Sequence, residues 1–246
     1  MYTKLMEENQ NLNNAGMKAV ILGGNSATGR QIIRELSQNK AVQTITAIAR
    51  NPLEEWETDD AIKKKIQIIK LANYDDLSSV KDQISAYNSF FCCLGSRVGK
   101  GKEEFHKVDF TYCVASAQLA KDADIPNFCI VSSAGANPKS SFLYMKTKGL
   151  ADEAIQKIGL DYCIIARPGF LQGRENDFRC GECFLKYFCC CFFWCCSMSI
   201  TVPDMSKAVV NCAINYYESV CSGGNQKKIM GNVVLENKDL VKLSKE

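Results

Sequence analysis

Three polar side chains near the middle of the chain have a spacing suited to proton transfer. Tyr144 and Lys148 are separated by one helical turn, which places both side chains on the same face of a helix. An ammonium group beside a phenol favours the phenolate, and such a phenol can exchange a proton with a carbonyl or alcohol oxygen during hydride transfer. A short distance upstream, Ser132 and Ser133 end an apolar run, where a hydroxyl can polarise the same oxygen. We predict Ser133, Tyr144 and Lys148 as catalytic residues, with Ser132 as the alternative serine; an exposed tyrosine beside a solvated lysine would show the same spacing.

A glycine-rich turn lies far upstream of these residues. The segment Gly23–Gly29 follows the apolar run Lys18–Leu22, and a helical pattern begins at Arg30. In a strand, turn and helix of this kind, the helix N-terminus directs N–H groups at whatever lies over the turn, which suits a phosphate. Gly23 and Gly29 fit the outer positions of a dinucleotide motif, but Ser26 occupies the middle one. The alternative interpretation is an ordinary turn in an α/β protein.

Arg50 ends the next apolar run, Ile45–Ala49. NAD sites usually have Asp or Glu at this point for the ribose 2′-hydroxyl, whereas a guanidinium group forms bidentate hydrogen bonds to phosphate. Arg50 therefore favours the 2′-phosphate of NADP, unless it is only a solvated arginine at a strand end.

Apolar runs alternate with helical patterns along most of the chain. The predicted strands are Lys18–Leu22, Ile45–Ala49, Ile66–Leu71, Ser89–Gly95, Phe128–Ser133, Tyr162–Ala166 and Lys228–Leu235. The predicted helices include Asp75–Gln83, Phe105–Asp122, with Val108, Tyr112, Ala115 and Leu119 facing inward, and Asp204–Tyr217. This alternation indicates an α/β fold with a Rossmann-type doubly wound parallel sheet covered on both faces. In such a sheet, Leu94 and Gly95 would pass beneath the cofactor.

Length and composition limit the class of protein. A chain of 246 residues suits one α/β domain, with a flexible leader (1–16), a nucleotide-binding core (17–170) and a small C-terminal substrate or partner lobe (171–246) packed on that core. The net charge of +3 and the interspersed charges argue against a nucleic-acid surface. With no signal-peptide pattern, we expect reduced thiols and a cytoplasmic protein, with a nuclear or peripheral membrane pool as alternatives.

Taken together, these motifs resemble an atypical short-chain dehydrogenase/reductase, specifically the Tat-interacting-protein oxidoreductase branch. The resemblance extends over roughly Lys18 to Glu236 and rests on Phe91–Gly95, Ser132–Ser133, Ser141–Tyr144 with Lys148–Gly149, and Arg167–Gly169. It implies an NADP(H)-binding Rossmann domain. The cofactor contacts that it implies are Asn25, Ser26, Ala27, Thr28, Arg50, Leu94, Gly95, Tyr144, Lys148, Leu171 and Arg179, and the turn itself adds Gly23 and Gly29. Ser26 replaces the family's usual glycine, and Asn51 stands where a second basic residue is common.

The segment 180–199 contains half of the 14 cysteines of the chain. These are Cys180, Cys183, Cys189, Cys190, Cys191, Cys195 and Cys196. We favour an apolar wall of a substrate cleft, built by a helix such as Glu182–Cys190, in which cysteine acts as a small hydrophobic residue. S-acylation, with peripheral membrane contact, is the second interpretation. Structural zinc is the third, although Cys180 and Cys183 have no second Cys-x-x-Cys pair and the one histidine, His106, is remote in sequence.

Two classes of function follow from these features. The first is an NADP(H)-dependent oxidoreductase that reduces a small carbonyl compound. The second is an NADP(H)-sensing regulatory or trafficking protein, with little turnover and a surface for a regulatory protein partner. The sequence gives no prediction of the oligomeric state.

Overall fold

The computed structural model describes residues 16–173, 199–221 and 230–246. Arg179 and the cysteine-rich segment, with its predicted helix Glu182–Cys190, lie outside the described residues. The strands are β1 (Met17–Leu22), β2 (Val42–Ala49), β3 (Ile66–Lys70), β4 (Ser89–Cys92), β5 (Asn127–Val131), β6 (Tyr162–Arg167), β7 (Phe170–Gln172), β8 (Ser199–Thr201) and β9 (Gly231–Glu236).

Seven of these strands form one parallel sheet in the order β3-β2-β1-β4-β5-β6-β9. Strand order reverses between β1 and β4, and in doubly wound sheets a ligand binds outside the carboxyl ends of the strands at that point. The predicted doubly wound parallel sheet is confirmed. Strands β7 and β8 form a separate parallel pair.

Helices cover both faces of the sheet. They are α1 (Ala27–Gln38), α2 (Glu55–Thr58), α3 (Asp60–Lys63), α4 (Lys102–His106), α5 (Cys113–Asp122), α6 (Leu143–Gln156), α7 (Val202–Cys221) and α8 (Asn237–Leu243). Apolar residues of α1, α7 and α8 pack on one face, and those of α5 and α6 pack on the other. The strands supply both cores because alternate side chains point to opposite faces.

The predicted helix Phe105–Asp122 is longer and less regular than its sequence pattern indicated. It is formed by α4, a π-helical stretch (Lys107–Tyr112) and α5, which follow one another without a break. The expected inward row was wrong in part, because Val108, Tyr112 and Ala115 are only half-buried. Phe105 and Asp109 are fully buried instead, since wider π-helical turns change which side chains face the core.

Other boundaries also shifted from the prediction. The segment predicted as the helix Asp75–Gln83 is a 3₁₀-helix at Leu77–Gln83. The predicted fourth and fifth strands end before Leu94–Gly95 and Ser132–Ser133, so these residues lie in the loops just beyond the carboxyl ends of β4 and β5. The last strand, β9, pairs with β6 in the main sheet. The division of the chain near residue 170 stays a prediction.

Candidate functional site

The glycine-rich turn after β1 is closed by Ser26. The Ser26 hydroxyl accepts a hydrogen bond from the Gly29 backbone N–H at 3.0 Å and donates one to the Gly23 carbonyl at 2.9 Å, so Ser26 is the N-cap of α1. Gly23 has φ +87°, and a Cβ there would lie 2.7 Å from the Cys93 carbonyl carbon. A Cβ on Gly29 would lie 2.3 Å from the Gly23 carbonyl oxygen. Close backbone packing therefore requires both glycines, and the helix N-terminus carries no acidic residue in its first turn.

The rest of the turn is linked to the segment that follows β2. Asn25 is exposed, and its side-chain amide donates a hydrogen bond to the Asn51 carbonyl at 2.6 Å. Ala27 is half-buried and Thr28 is buried within the first turn of α1. The predicted cofactor residues of this segment thus form one continuous patch at the carboxyl end of β1.

Arg50 lies just beyond the end of β2 and is exposed. Its guanidinium carbon is 5.4 Å from the centroid of the Tyr74 ring, a distance at which a cation is attracted to an aromatic face. Burial raises the pKa of the Tyr74 phenol, while the Arg50 charge opposes that rise. Tyr74 therefore holds the Arg50 guanidinium, a group that binds phosphate well, at the edge of the glycine-rich turn. Tyr74 was not among the residues predicted from the sequence.

Leu94 and Gly95 lie just beyond β4, from which only Cys93 separates them, and next to the glycine-rich turn. The Cys93 backbone N–H donates to the Leu22 carbonyl at 2.8 Å, so β1 and β4 remain paired up to the loop. The next residue, Ser96, donates its backbone N–H to Asp109 Oδ2 at 2.6 Å. Leu94–Gly95 lies at the reversal point of the sheet, and Asp109 anchors the end of this loop. Its passage beneath a cofactor stays a prediction.

Tyr144 and Lys148 lie on one face of α6, as their spacing predicted. Tyr144 is half-buried, and its ring stacks on Phe105 with centroids 5.7 Å apart and an interplanar angle of 28°. Lys148 is 4% exposed. Its Nζ lies 2.9 Å from Asp109 Oδ1 and 3.5 Å from the carbonyl oxygen of Val131, the last residue of β5.

The ammonium group of Lys148 is held in its charged form. Burial disfavours the charge, but the Asp109 carboxylate, with Cys113 and Tyr144 nearby, outweighs burial and raises the pKa of Lys148 well above its ordinary value. A buried lysine without such a partner would lose its proton much more readily. The site therefore contains a positive charge beside Tyr144.

The two serines after β5 differ in their surroundings. Ser132 is buried, and its backbone N–H donates to the Ala166 carbonyl at 2.7 Å. Its hydroxyl and Arg167 both act to lower the pKa of Asp152, although burial outweighs them and raises it. Ser133 is half-buried and its hydroxyl donates only a long hydrogen bond, 3.3 Å, to the Ala134 carbonyl. Ser133 is thus the more accessible hydroxyl of the two.

The remaining predicted residues lie in the C-terminal part of the chain. Leu171 is buried in β7, close after the turn at Gly169, whose backbone N–H is bound by the Asn237 side chain at 2.8 Å. Arg179 cannot be placed, because it lies outside the described residues.

Among the described residues, no group of three or more His, Cys, Asp or Glu side chains is arranged to hold a metal ion. Within the same ranges, none of the helices has the length and apolar character that crossing a membrane requires.

Comparison with known proteins places the chain among nucleotide-binding proteins. The model of the NAD(P)H-binding family matches residues 23–182. Protein HTATIP2 of Rattus norvegicus is 27% identical over 230 residues, which cover 92% of this chain and 88% of that protein. Protein FMP52 of Candida albicans is 30% identical over 163 residues, which cover 65% of this chain and 70% of that protein. These matches confirm the predicted resemblance.

Solved structures share the fold. A protein described as an NAD-dependent epimerase/dehydratase from Bacillus halodurans superposes with a TM-score of 0.61 at 22% identity, covering 94% of this chain and 99% of that one. MoeE5 in complex with UDP-glucose and NAD gives a TM-score of 0.63 at 12% identity, covering 92% of this chain and 80% of that one.

The comparison corrects one prediction. The FMP52 proteins of Candida albicans, Scheffersomyces stipitis and Lodderomyces elongisporus, at 30%, 30% and 32% identity, are named as mitochondrial. The cytoplasmic location predicted from the lack of a signal-peptide pattern was therefore wrong. A secretory signal is only one kind of targeting signal, and other cellular addresses are read by receptors from local signals of their own.

Proposed function

Because the chain belongs to the NAD(P)H-binding family, we propose that it is an NADP(H)-dependent oxidoreductase that reduces a small carbonyl compound. The observation that carries this proposal is the position of Tyr144 and Lys148 beside the reversal point of the sheet. The Lys148 ammonium reaches the carboxyl end of β5 through the Val131 carbonyl. The glycine-rich turn and Leu94–Gly95 lie at the carboxyl ends of β1 and β4, on the same edge of the parallel sheet.

The residues of this edge fit a dinucleotide. The turn between Gly23 and Gly29 brings the N-terminus of α1 against the backbone after β4 with no side chain between them. Its N–H groups and the absence of acidic residues from the first turn of the helix suit a diphosphate. Ser26 supplies a hydroxyl at the position where the family usually has glycine, and the Asn25 side chain fixes the outer side of the turn.

Arg50 carries the proposed preference for NADP(H). Its guanidinium group lies on the Tyr74 ring at the end of β2, where a cofactor's adenosine ribose binds in this fold. A guanidinium stacked on a ring loses less freedom when it binds a phosphate than one free in solvent. We assign the 2′-phosphate of NADP(H) to Arg50.

Each polar group of the site has a proposed role in reduction. A bound reduced nicotinamide supplies the hydride. Tyr144 donates its phenolic proton to the carbonyl oxygen of the substrate, and the Ser133 hydroxyl donates a hydrogen bond to the same oxygen. The charge of Lys148 stabilises the phenolate that Tyr144 becomes.

Consumption of NADPH with a panel of aldehydes, ketones and quinones tests this function. We expect turnover by the native protein and its loss in Tyr144→Phe, with NADPH binding retained. Tyr216→Phe is the matched control, because it also removes one phenolic hydroxyl. The Tyr216 ring stacks on Tyr162 at the amino end of β6, which is the opposite edge of the sheet from the site. NADPH binding without turnover of any panel member would contradict the reductase and favour a nucleotide-sensing regulator.

A further inference from the structure

Two helices meet side by side at the proposed active site, and their side chains pair in register. Phe105 and Asp109 are four residues apart on the helix that runs through α4 and the π-helical stretch. Tyr144 and Lys148 have the same separation on α6. Phe105 stacks on Tyr144, and Asp109 forms an ion pair with Lys148. Each residue of the predicted catalytic pair therefore has its own partner on the neighbouring helix.

Asp109 is an unusual residue for such a position. Its side chain is 1% exposed, and a buried carboxylate is costly unless it is paired and hydrogen-bonded. One oxygen lies 2.9 Å from Lys148 Nζ, and the other accepts the Ser96 backbone N–H at 2.6 Å. The same carboxylate thus connects the lysine to the loop that carries Leu94 and Gly95. It lies in a π-helical stretch, a distortion frequently found at functional sites.

The charge on Lys148 depends mainly on this partner. The titratable groups around its ammonium are Asp109, Cys113 and Cys92 on the elements packed against α6, and Tyr144 and Asp152 on α6 itself. Burial favours loss of the proton, and the Asp109 carboxylate is the largest influence in the other direction. Removing that carboxylate leaves burial as the dominant influence.

We propose that Asp109 is a positioning residue, which keeps the Lys148 ammonium charged and fixed beside Tyr144, while Phe105 aligns the Tyr144 ring. The catalytic consequence of this inference rests on the proposed function, whereas the ion pair between Asp109 and Lys148 does not. Asp109 does not contact substrate in this scheme. It acts through Lys148, and it couples the lysine to the cofactor loop through Ser96.

Nuclear magnetic resonance of ¹³C-lysine-labelled protein tests the charge of Lys148 directly. The Cε chemical shift reports amine protonation irrespective of burial, and Lys148→Met assigns the signal. In the native protein we expect no titration below about pH 10.5, the ordinary value for lysine. In Asp109→Asn, which has nearly the same shape but no charge, the midpoint should fall to about pH 8, because burial can lower the pKa of a lysine by up to about 3–5 units.

Activity should follow the same titration. Asp109→Asn should lower kcat by about tenfold near pH 9, which is part of the contribution expected of acid–base catalysis. The kcat of this variant should recover as the pH falls and Lys148 regains its proton. A residue with only a structural role would not give this pH-dependent recovery. Asp122→Asn is the control, since it makes the same change on an exposed residue about 20 Å further along the same helix; it should change neither property.

A stability comparison keeps the inference testable if Asp109→Asn folds poorly. Lys148→Met leaves the Asp109 carboxylate buried without its counter-ion, so its melting temperature should fall. The double variant Asp109→Asn/Lys148→Met should melt higher than Lys148→Met alone, because the uncompensated charge is gone. Equal titration midpoints for Lys148 in the native and Asp109→Asn proteins, or a double variant less stable than Lys148→Met, would overturn the inference. Absence of turnover in the native protein would instead overturn the proposed function alone.

Discussion

Gly149 lets α6 approach the loop 137–138, and this contact holds Tyr144 and Lys148 in place. A Cβ added at Gly149 would lie 2.3 Å from the Pro138 nitrogen and 2.4 Å from the Asn137 carbonyl carbon. Both are backbone atoms, so a side-chain rotation cannot relieve the clash. Ordinary contacts begin near 3.4 Å, and Gly149→Ala must therefore move α6 outward by about 1 Å.

Two opposing effects set the stability of Gly149→Ala. Alanine is intrinsically the better helix former by about 1 kcal/mol, whereas overpacking against a fixed backbone costs about 1–3 kcal/mol. The shift also strains the hydrogen bond from the Asn137 N–H to the Met145 carbonyl, which is 3.0 Å in the native protein. We expect a net loss of up to about 2 kcal/mol, equivalent to a melting temperature lower by up to about 8 °C for a chain of this size.

The effect on catalysis should be larger than the effect on stability. A misplacement of about 1 Å can reduce the rate about 100-fold, because it separates Tyr144 from the reacting oxygen and Lys148 from Asp109. The assays are thermal unfolding and kcat/KM for NADPH-dependent reduction. Gly99→Ala is the control, since a Cβ there meets nothing within 4 Å. A Gly149→Ala protein as stable and as active as Gly99→Ala would refute this reasoning.

Three further predictions concern single side chains. Ser26→Ala removes the cap of α1 and should lower the free energy of unfolding by about 1 kcal/mol in urea denaturation; an unchanged midpoint would mean that the cap contributes nothing. Arg50→Ala should abolish a preference for NADPH over NADH worth about 1.5–3 kcal/mol, measured by calorimetry, and equal affinities of the native protein for the two cofactors would contradict the assignment. Burial raises the pKa of the Cys163 thiol to about 12, so the thiolate is scarce below that pH. Labelling of Cys163 at about pH 8 should be slow in the folded protein and fast after unfolding, where an ordinary thiol titrates near 8.5; rapid native labelling would show that this part of the core opens.

Local patterns were sufficient to predict the sheet and the common helical face of Tyr144 and Lys148. Tyr144 and Lys148 are one helical turn apart, so their common face follows from helix geometry alone. The glycine-rich turn lies between a strand and a helix, and both neighbours have clear apolar periodicity. The parallel sheet followed from the alternation of such segments.

The partners of these residues could not be predicted in the same way. Asp109 and Lys148 are brought together by the packing of two helices, which no local pattern encodes. An acidic residue four positions after Phe105 was the available signal, because an acid on a buried helical face requires a counter-ion. The π-helical stretch concealed that signal, since it changed which side chains faced inward. Tyr74 was missed for a similar reason: its contact with Arg50 joins the loops that follow β2 and β3.

Transfer of deuterium from the cofactor to the product tests the central claim most directly. The experiment uses NADPH deuterated at the transferable position of nicotinamide C4, an aldehyde or ketone from the panel, and mass spectrometry of the resulting alcohol. We predict one deuterium on the former carbonyl carbon with the native protein and with Tyr216→Phe, and none with Tyr144→Phe. Tight binding of NADPH by the native protein, with no deuterium in the product of any aldehyde or ketone tested, would contradict the account.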